Sequence, residues 1–141
     1  MSVNKCNSEG YFDPTAYEAL TKIEREAKQA RAFRPLVYIC SPLSGNIAAN
    51  QRSARRYCRF AVDSGCIPLA PHLYFPQFMD DGNRTERDLA LFMDIVLLSK
   101  CSELWVFGER ISKGMSMEIE KAKHKGQPIR WFTVDCTEVF Q

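Results

Sequence analysis

Apolar residues recur along this chain with two different periods, and the switches between them mark its elements. The runs Leu36-Val-Tyr-Ile-Cys40 and Glu103-Leu-Trp-Val-Phe107 are short and continuous, the pattern of strands buried on both faces. Between them Ala54, Tyr57, Cys58, Ala61 and Val62 repeat at helical spacing, in a helix that the pattern stops at Gly65. A second strand is predicted over 66–71, and its prolines suit a sheet edge outside the first strand. Farther on, the spacing predicts a helix over about 85–100, the strand 103–107, a helix over 113–126 and a last strand near 128–133. Met115, Ile119, Ala122 and Gly126 form the buried stripe of the 113–126 helix.

Strand and helix thus alternate, which implies an α/β fold with a parallel sheet and helices on both faces. The expected architecture is three-layered and Rossmann-like (flavodoxin-like), with four to five strands in the order 2-1-3-4(-5), the short C-terminal tail adding the edge. Residues 1–12 are polar and read as loose, after which Asp13-Pro14 caps and begins an amphipathic helix to about residue 32. Its apolar face, Tyr17, Leu20, Ile23 and Ala27, is expected to pack on the sheet. The reading is therefore an N-terminal extension over 1–34 and one α/β domain over 35–141. The aromatic-rich segment 72–83 has no period and reads as a long loop above the sheet. It is either pinned in the core by Tyr74, Phe75 and Phe78 or acts as a lid that stacks on a planar ring.

Composition narrows the function. At 141 residues, 45% hydrophobic and 11% aromatic, the chain can hold one domain with a proper core. A net charge of +2 gives no case for a nucleic-acid polymer or a membrane surface as partner, while small anionic ligands stay open. Six cysteines, at 6, 40, 58, 66, 101 and 136, form no close C-x-x-C pair and read as small core hydrophobes of a reducing cytosol. His72 and His124 have no ligand-spaced partners, so neither a metal nor another cofactor is expected. The N-terminus lacks the apolar core of a signal peptide and no run approaches a membrane span, so a cytoplasmic protein is expected.

Candidate chemistry gathers where parallel strands end, the usual place for a site in an open α/β sheet. Glu118 follows the strand 103–107 near the start of a helix, one turn from Gly114, and the helix N-terminus should favour its ionised form. It is either an ordinary first-turn glutamate or the root of a site. Asp94 sits mid-helix in the apolar stretch Leu89-Ala-Leu-Phe-Met-Asp-Ile-Val-Leu-Leu98, where a carboxylate needs a partner or a task. Asp88 is more simply explained by a capping box, Thr85-x-x-Asp88. Two loops rich in hydroxyl and small residues should meet over one crevice. One contains Ser41, Ser44, Gly45 and Asn46, the other Ser112, Gly114 and, just beyond, Ser116.

The segments YICSPLSG (38–45), ELWVFG (103–108) and SKGMSMEIEKA (112–122) resemble the nucleoside 2-deoxyribosyltransferase superfamily, which includes the 2'-deoxynucleoside 5'-phosphate N-hydrolases. They are similar in particular to a bacterial and phage branch, the DUF4406 group. The resemblance spans roughly 36–132. It implies that Glu118, in a G-x-S-x-E motif, attacks the anomeric carbon, that Asp94 is the assisting acid, and that Tyr38 and Ser112 contact substrate. Pro42-Leu43-Ser44 stands where the hydrolases carry Ser-x-Arg, and Ile119-Glu120 where many members have Leu-Gly. The implied activity is hydrolysis or base exchange at the N-glycosidic bond of a nucleoside or nucleotide, by an enzyme that is a hydrolase or transferase. The alternative is a non-catalytic nucleotide-binding protein. Relatives complete their sites across subunits, so a homo-oligomer is implied, with the apolar helix 89–98 as a contact.

Overall fold

A computed structural model describes residues 14–140. The loose segment expected over 1–12 and the Asp13 cap lie outside the described residues. The chain divides into two compact units, Met1–Arg34 and Pro35–Gln141. In the first, helix α1 spans Pro14–Ala30, two residues shorter than its apolar period suggests.

The second unit runs β1 (Leu36–Cys40), α2 (Ile47–Asp63), β2 (Ile67–Leu69), α3 (Arg84–Leu98), β3 (Glu103–Phe107), α4 (Lys113–Lys125), β4 (Ile129–Phe132) and β5 (Glu138–Val139). Its five-stranded sheet has the order β2-β1-β3-β4-β5, as the alternation predicts. The first four strands are parallel, and β5 closes the edge antiparallel to β4, Trp131 opposite Val139. The Arg130 guanidinium fastens that edge by donating to both carboxylate oxygens of Glu138, at 2.8 and 2.7 Å.

Strand alternation sorts the core onto the two faces of the sheet. Val37, Ile39, Trp105, Phe107 and Phe132 pack with Tyr57 and Ala61 of α2. Tyr38, Cys40, Leu104 and Val106 pack on the opposite face with Leu98 of α3 and with Met115, Ile119 and Ala122 of α4. That parity aims the two polar side chains of β1, Tyr38 and Cys40, at α4. Gly126 ends α4 in the left-handed conformation, φ 70°, with its N–H on the last carbonyls of the helix.

Two local expectations are corrected. Helix α3 is capped by Asn83, whose side chain accepts from the Glu86 N–H at 3.1 Å, so Thr85 and Asp88 form no capping box. The helix begins two residues earlier than a Thr85 cap requires, and Asn is the better N-cap. Tyr74 and Phe78 are not pinned in the core but are 60% and 59% exposed. They pack with Phe75 as a trio of rings, centroids 4.9 to 6.0 Å apart, around two short 3-10 turns, Pro71–Leu73 and Phe75–Gln77. Helix α3 also leaves Leu89, Phe92 and Val96 exposed, because only part of its apolar circumference meets the sheet and α4.

Candidate active site

Above the C-terminal ends of β1 and β2, a cavity of about 520 Å³ opens between the α3 and α4 side of the sheet and the two 3-10 turns. Its floor is Glu118. Met115, Glu118, Ile119 and Ala122 are the buried residues of α4, so the glutamate belongs to the apolar stripe itself and is only 7% exposed. Ser112 caps the helix by accepting from the Met115 N–H at 3.2 Å. Gly114 lets α3 come close, since a Cβ there would sit 3.2 Å from Leu91 Cδ2.

From β1, the Tyr38 hydroxyl donates to the Glu118 carboxylate. The Cys40 thiol lies 3.8 Å from Glu118 Oε1 and 3.9 Å from the Met115 carbonyl oxygen. Burial pushes the Glu118 carboxyl up to about 8, with Asp94 adding to the rise and the Tyr38 and Cys40 donors opposing it. The expectation that the helix N-terminus keeps Glu118 ionised is therefore overturned, because Glu118 stands in the second turn of α4 and desolvation outweighs the dipole.

Asp94, on α3, lines the same cavity. Burial raises it to about 7, and its Oδ1 is buried with no hydrogen-bond partner among the described residues. The buried carboxylate without a partner is the one that an apolar helix surface made conspicuous in sequence. Opposite stands a residue the sequence reading passed over. His72 Nε2 is 2.9 Å from Ser41 Oγ, and burial lowers its pKa to about 4, so the imidazole is neutral. The available signal was position, since His72 directly follows the strand-like 66–71 and so stands where β2 ends.

Of the other residues singled out in sequence, Ser44, Asp88 and Gly114 also line the cavity, together with Lys113, Arg84 and Arg87. The loops 41–46 and 108–114 do converge, with Arg110 Nη2 3.9 Å from the position of a Cβ on Gly45. Three residues fall outside. Gly45 holds a left-handed turn at φ 98°, Asn46 spends its side-chain oxygen capping α2 on the Ala49 N–H, and Ser116 faces outward on α4 beside Ile95 and Lys121. Among the described residues no group of three or more His, Cys, Asp or Glu side chains is placed to hold a metal ion. No helix among them is long and apolar enough to cross a membrane.

In fold the chain is similar to a solved 2-deoxyribosyltransferase of the psychrotolerant bacterium Bacillus psychrosaccharolyticus. The TM-score is 0.54 at 16% sequence identity, over 75% of this chain and 77% of that one. At that identity the likeness is one of fold. No curated protein matches the sequence. The narrower resemblance to the DUF4406 group is not the one the family comparison returns. Residues 35–132, from the start of β1 to the end of β4, match the family described as Domain of unknown function (DUF7768), and the chain belongs to that family.

Proposed function

We propose that this protein cleaves the N-glycosidic bond of a nucleoside or nucleotide through a covalent glycosyl-enzyme intermediate, as a hydrolase or a transferase. The observation that carries the reading is the pairing of Glu118, buried and held by the Tyr38 hydroxyl, with the partnerless Asp94 in one cavity. The likeness in fold to a 2-deoxyribosyltransferase supports it.

Burial raises both carboxyls well above the usual carboxylate range. Two carboxyls in one cavity share their charge, and substrate decides where it sits. Positive charge developing on the sugar draws the anion to Glu118, where the Tyr38 donor receives it, while the proton stays on Asp94, whose Oδ1 has no donor. A Glu118 oxygen then attacks the anomeric carbon. The carbon–nitrogen bond breaks, its electron pair passes to the base, and the Asp94 proton follows it. Water or a second base attacks the same carbon, the Glu118 carboxylate leaves, and the released proton returns to Asp94. His72 and Ser41, with Phe75 beside them on the cavity wall, form the surface for the base. Ser44, Ser112 and Gly114, with Lys113, meet the sugar and any 5' substituent. Pairing of two copies through Leu89, Phe92 and Val96 of α3 belongs to the same proposal.

One observation favours a second reading, capture of a nucleotide without turnover: near neutral pH the empty site leaves Glu118 protonated, the wrong state for a nucleophile. A mixed pool of nucleosides and 5'-nucleotides, incubated with the protein and beside it Glu118→Ala, separates the two. Glu118-dependent release or exchange of a base is the expected result. A pool recovered unchanged from a protein that nonetheless binds one of its members overturns catalysis and leaves the binding module.

A further inference from the structure

We propose that the Cys40 thiol is a rotating hydrogen-bond donor that follows the charge of Glu118. It is a positioning residue for that carboxylate, and its catalytic meaning rests on the glycosidic chemistry proposed above. Cys40 is the last residue of β1, fully buried, on the sheet face that looks at α4. Its sulfur has two acceptors at nearly equal range, Glu118 Oε1 at 3.8 Å and the Met115 carbonyl oxygen at 3.9 Å. A thiol carries one proton and serves one acceptor at a time, chosen by rotation about the Cβ–Sγ bond.

Charge decides the choice. With Glu118 neutral, the two acceptors compete on similar terms. With Glu118 ionised, the bond to Oε1 is charge-assisted and about twice as strong, so the proton swings to the carboxylate. The thiol stays a donor in both states, because burial and the Glu118 charge itself oppose the thiolate. A cysteine suits this task better than a serine. Its weak S–H tolerates a long bond to either partner without a large penalty for the one not served, and its size fills the core like a small hydrophobe.

The consequence lies in the two halves of the reaction. When Glu118 is esterified by the sugar it is neutral, and the thiol is again divided between it and Met115. When the carboxylate is expelled, the thiol turns to receive it. No bond to sulfur forms or breaks. The other titratable groups around Glu118 are Tyr38 on β1 and Asp94 on α3, with His72 across the cavity. Asp80 and Asp81 before α3, Arg84, Glu86, Arg87 and Asp88 of α3, and Lys113 of α4 also line that cavity.

The S–H stretching band in the infrared reads this device directly, without any nucleoside. Subtracting the spectrum of Cys40→Ala, or of Cys40→Ser should the alanine variant fail to fold, isolates the Cys40 band from the five other cysteines. The expected result is a Cys40 band that moves to lower wavenumber as pH rises through the Glu118 titration. It stays fixed in Glu118→Gln and still moves in Asp94→Asn, at a lower pH. A band that is constant with pH in the wild-type protein, or that titrates unchanged in Glu118→Gln, overturns the proposal. If turnover is observed, Cys40→Ala moves the acid limb of kcat/KM up by roughly half a pH unit and Cys40→Ser restores it. Because the band is read on the empty site, its titration stands even if no base is released. Base release by a protein with a fixed band would leave the Glu118 chemistry standing without this donor.

Discussion

The Tyr38 hydroxyl of β1 donates a hydrogen bond to the Glu118 carboxylate of α4 across 80 positions of sequence. Both groups are almost wholly removed from water, and the phenol is pushed well above its usual range by burial and by the carboxylate it faces. It therefore remains a donor wherever the glutamate is ionised. This contact makes a buried glutamate usable, because the donor offsets part of the desolvation that holds the carboxyl neutral.

Removing that donor should shift chemistry to higher pH. Tyr38→Phe keeps the ring in its core cluster and loses the hydrogen bond, so the Glu118 titration rises by roughly half to one pH unit. The acid limb of kcat/KM, or the carboxyl signal of Glu118 followed by carbon NMR, measures it. An unmoved limb would show that the phenol serves packing alone.

Glu118→Gln should fold, bind ligand and lose base release or exchange by on the order of a thousandfold or more, because the amide is not a nucleophile. Asp94→Asn should lose on the order of a hundredfold, the value of general-acid assistance, with the smallest loss for substrates whose base leaves without protonation. Single-turnover base release measured by chromatography checks both. Equal losses for good and poor leaving groups would remove Asp94 from the acid role.

Stability should fall as pH rises toward about 8. Glu118 titrates at about 8 in the fold against 4.5 unfolded, and Asp94 at about 7 against 3.8. Between those limits the folded state binds more protons than the unfolded one, so their stabilising contribution is complete at low pH and is lost as pH climbs through the folded values. His72 works the other way, its pKa lowered from 6.5 to about 4, and costs stability as pH falls below 6.5. Above 6.5 only the carboxyls act, so the decline is clearest between about 6.5 and 8. Thermal melts across that window should show the slope, and Glu118→Gln with Asp94→Asn should flatten it.

His72→Phe keeps the bulk of the wall and removes its polar nitrogens. Nε2 is the nitrogen engaged by Ser41, which leaves Nδ1 for the proposed contact with a base. The ratio of kcat/KM between two bases should change by about tenfold, with melting little altered. A uniform drop for every base would assign His72 to packing.

The approach of α3 to α4 rests on a missing side chain. In Gly114→Ala the new Cβ meets Leu91 Cδ2 at 3.2 Å, a contact that Leu91 relieves by moving a few tenths of an ångström. Gly114→Val has no such relief and should cost about 1–3 kcal/mol and narrow the cavity. Denaturant melts and ligand affinity together test this, and a valine variant as stable as wild type would show that the helices separate freely.

The sequence by itself determined the architecture, because a strand buried on both faces and a one-sided helix announce themselves by period. β1 and β3 lie where their apolar runs lie, and the order β2-β1-β3-β4-β5 follows from alternation and an edge strand with a proline in it. Asp94 was legible too, since a carboxylate inside an apolar stretch breaks the pattern around it; Glu118 stood out by its place just after β3, and only the packed helix put it inside the buried stripe of α4. Local signals failed where neighbours compete at short range: Asn83 took the cap that Thr85 seemed to offer, and Tyr74 and Phe78 packed on one another instead of the core. What only the tertiary structure decided is which distant side chains meet. The pleat of β1 turns Tyr38 and Cys40 to the same face, and the second turn of α4 sets Glu118 against them. The 3-10 turn after β2 brings His72 to Ser41. Burial and the donors on that face set the protonation of Glu118, a balance of desolvation against hydrogen bonding that exists only once the elements are packed.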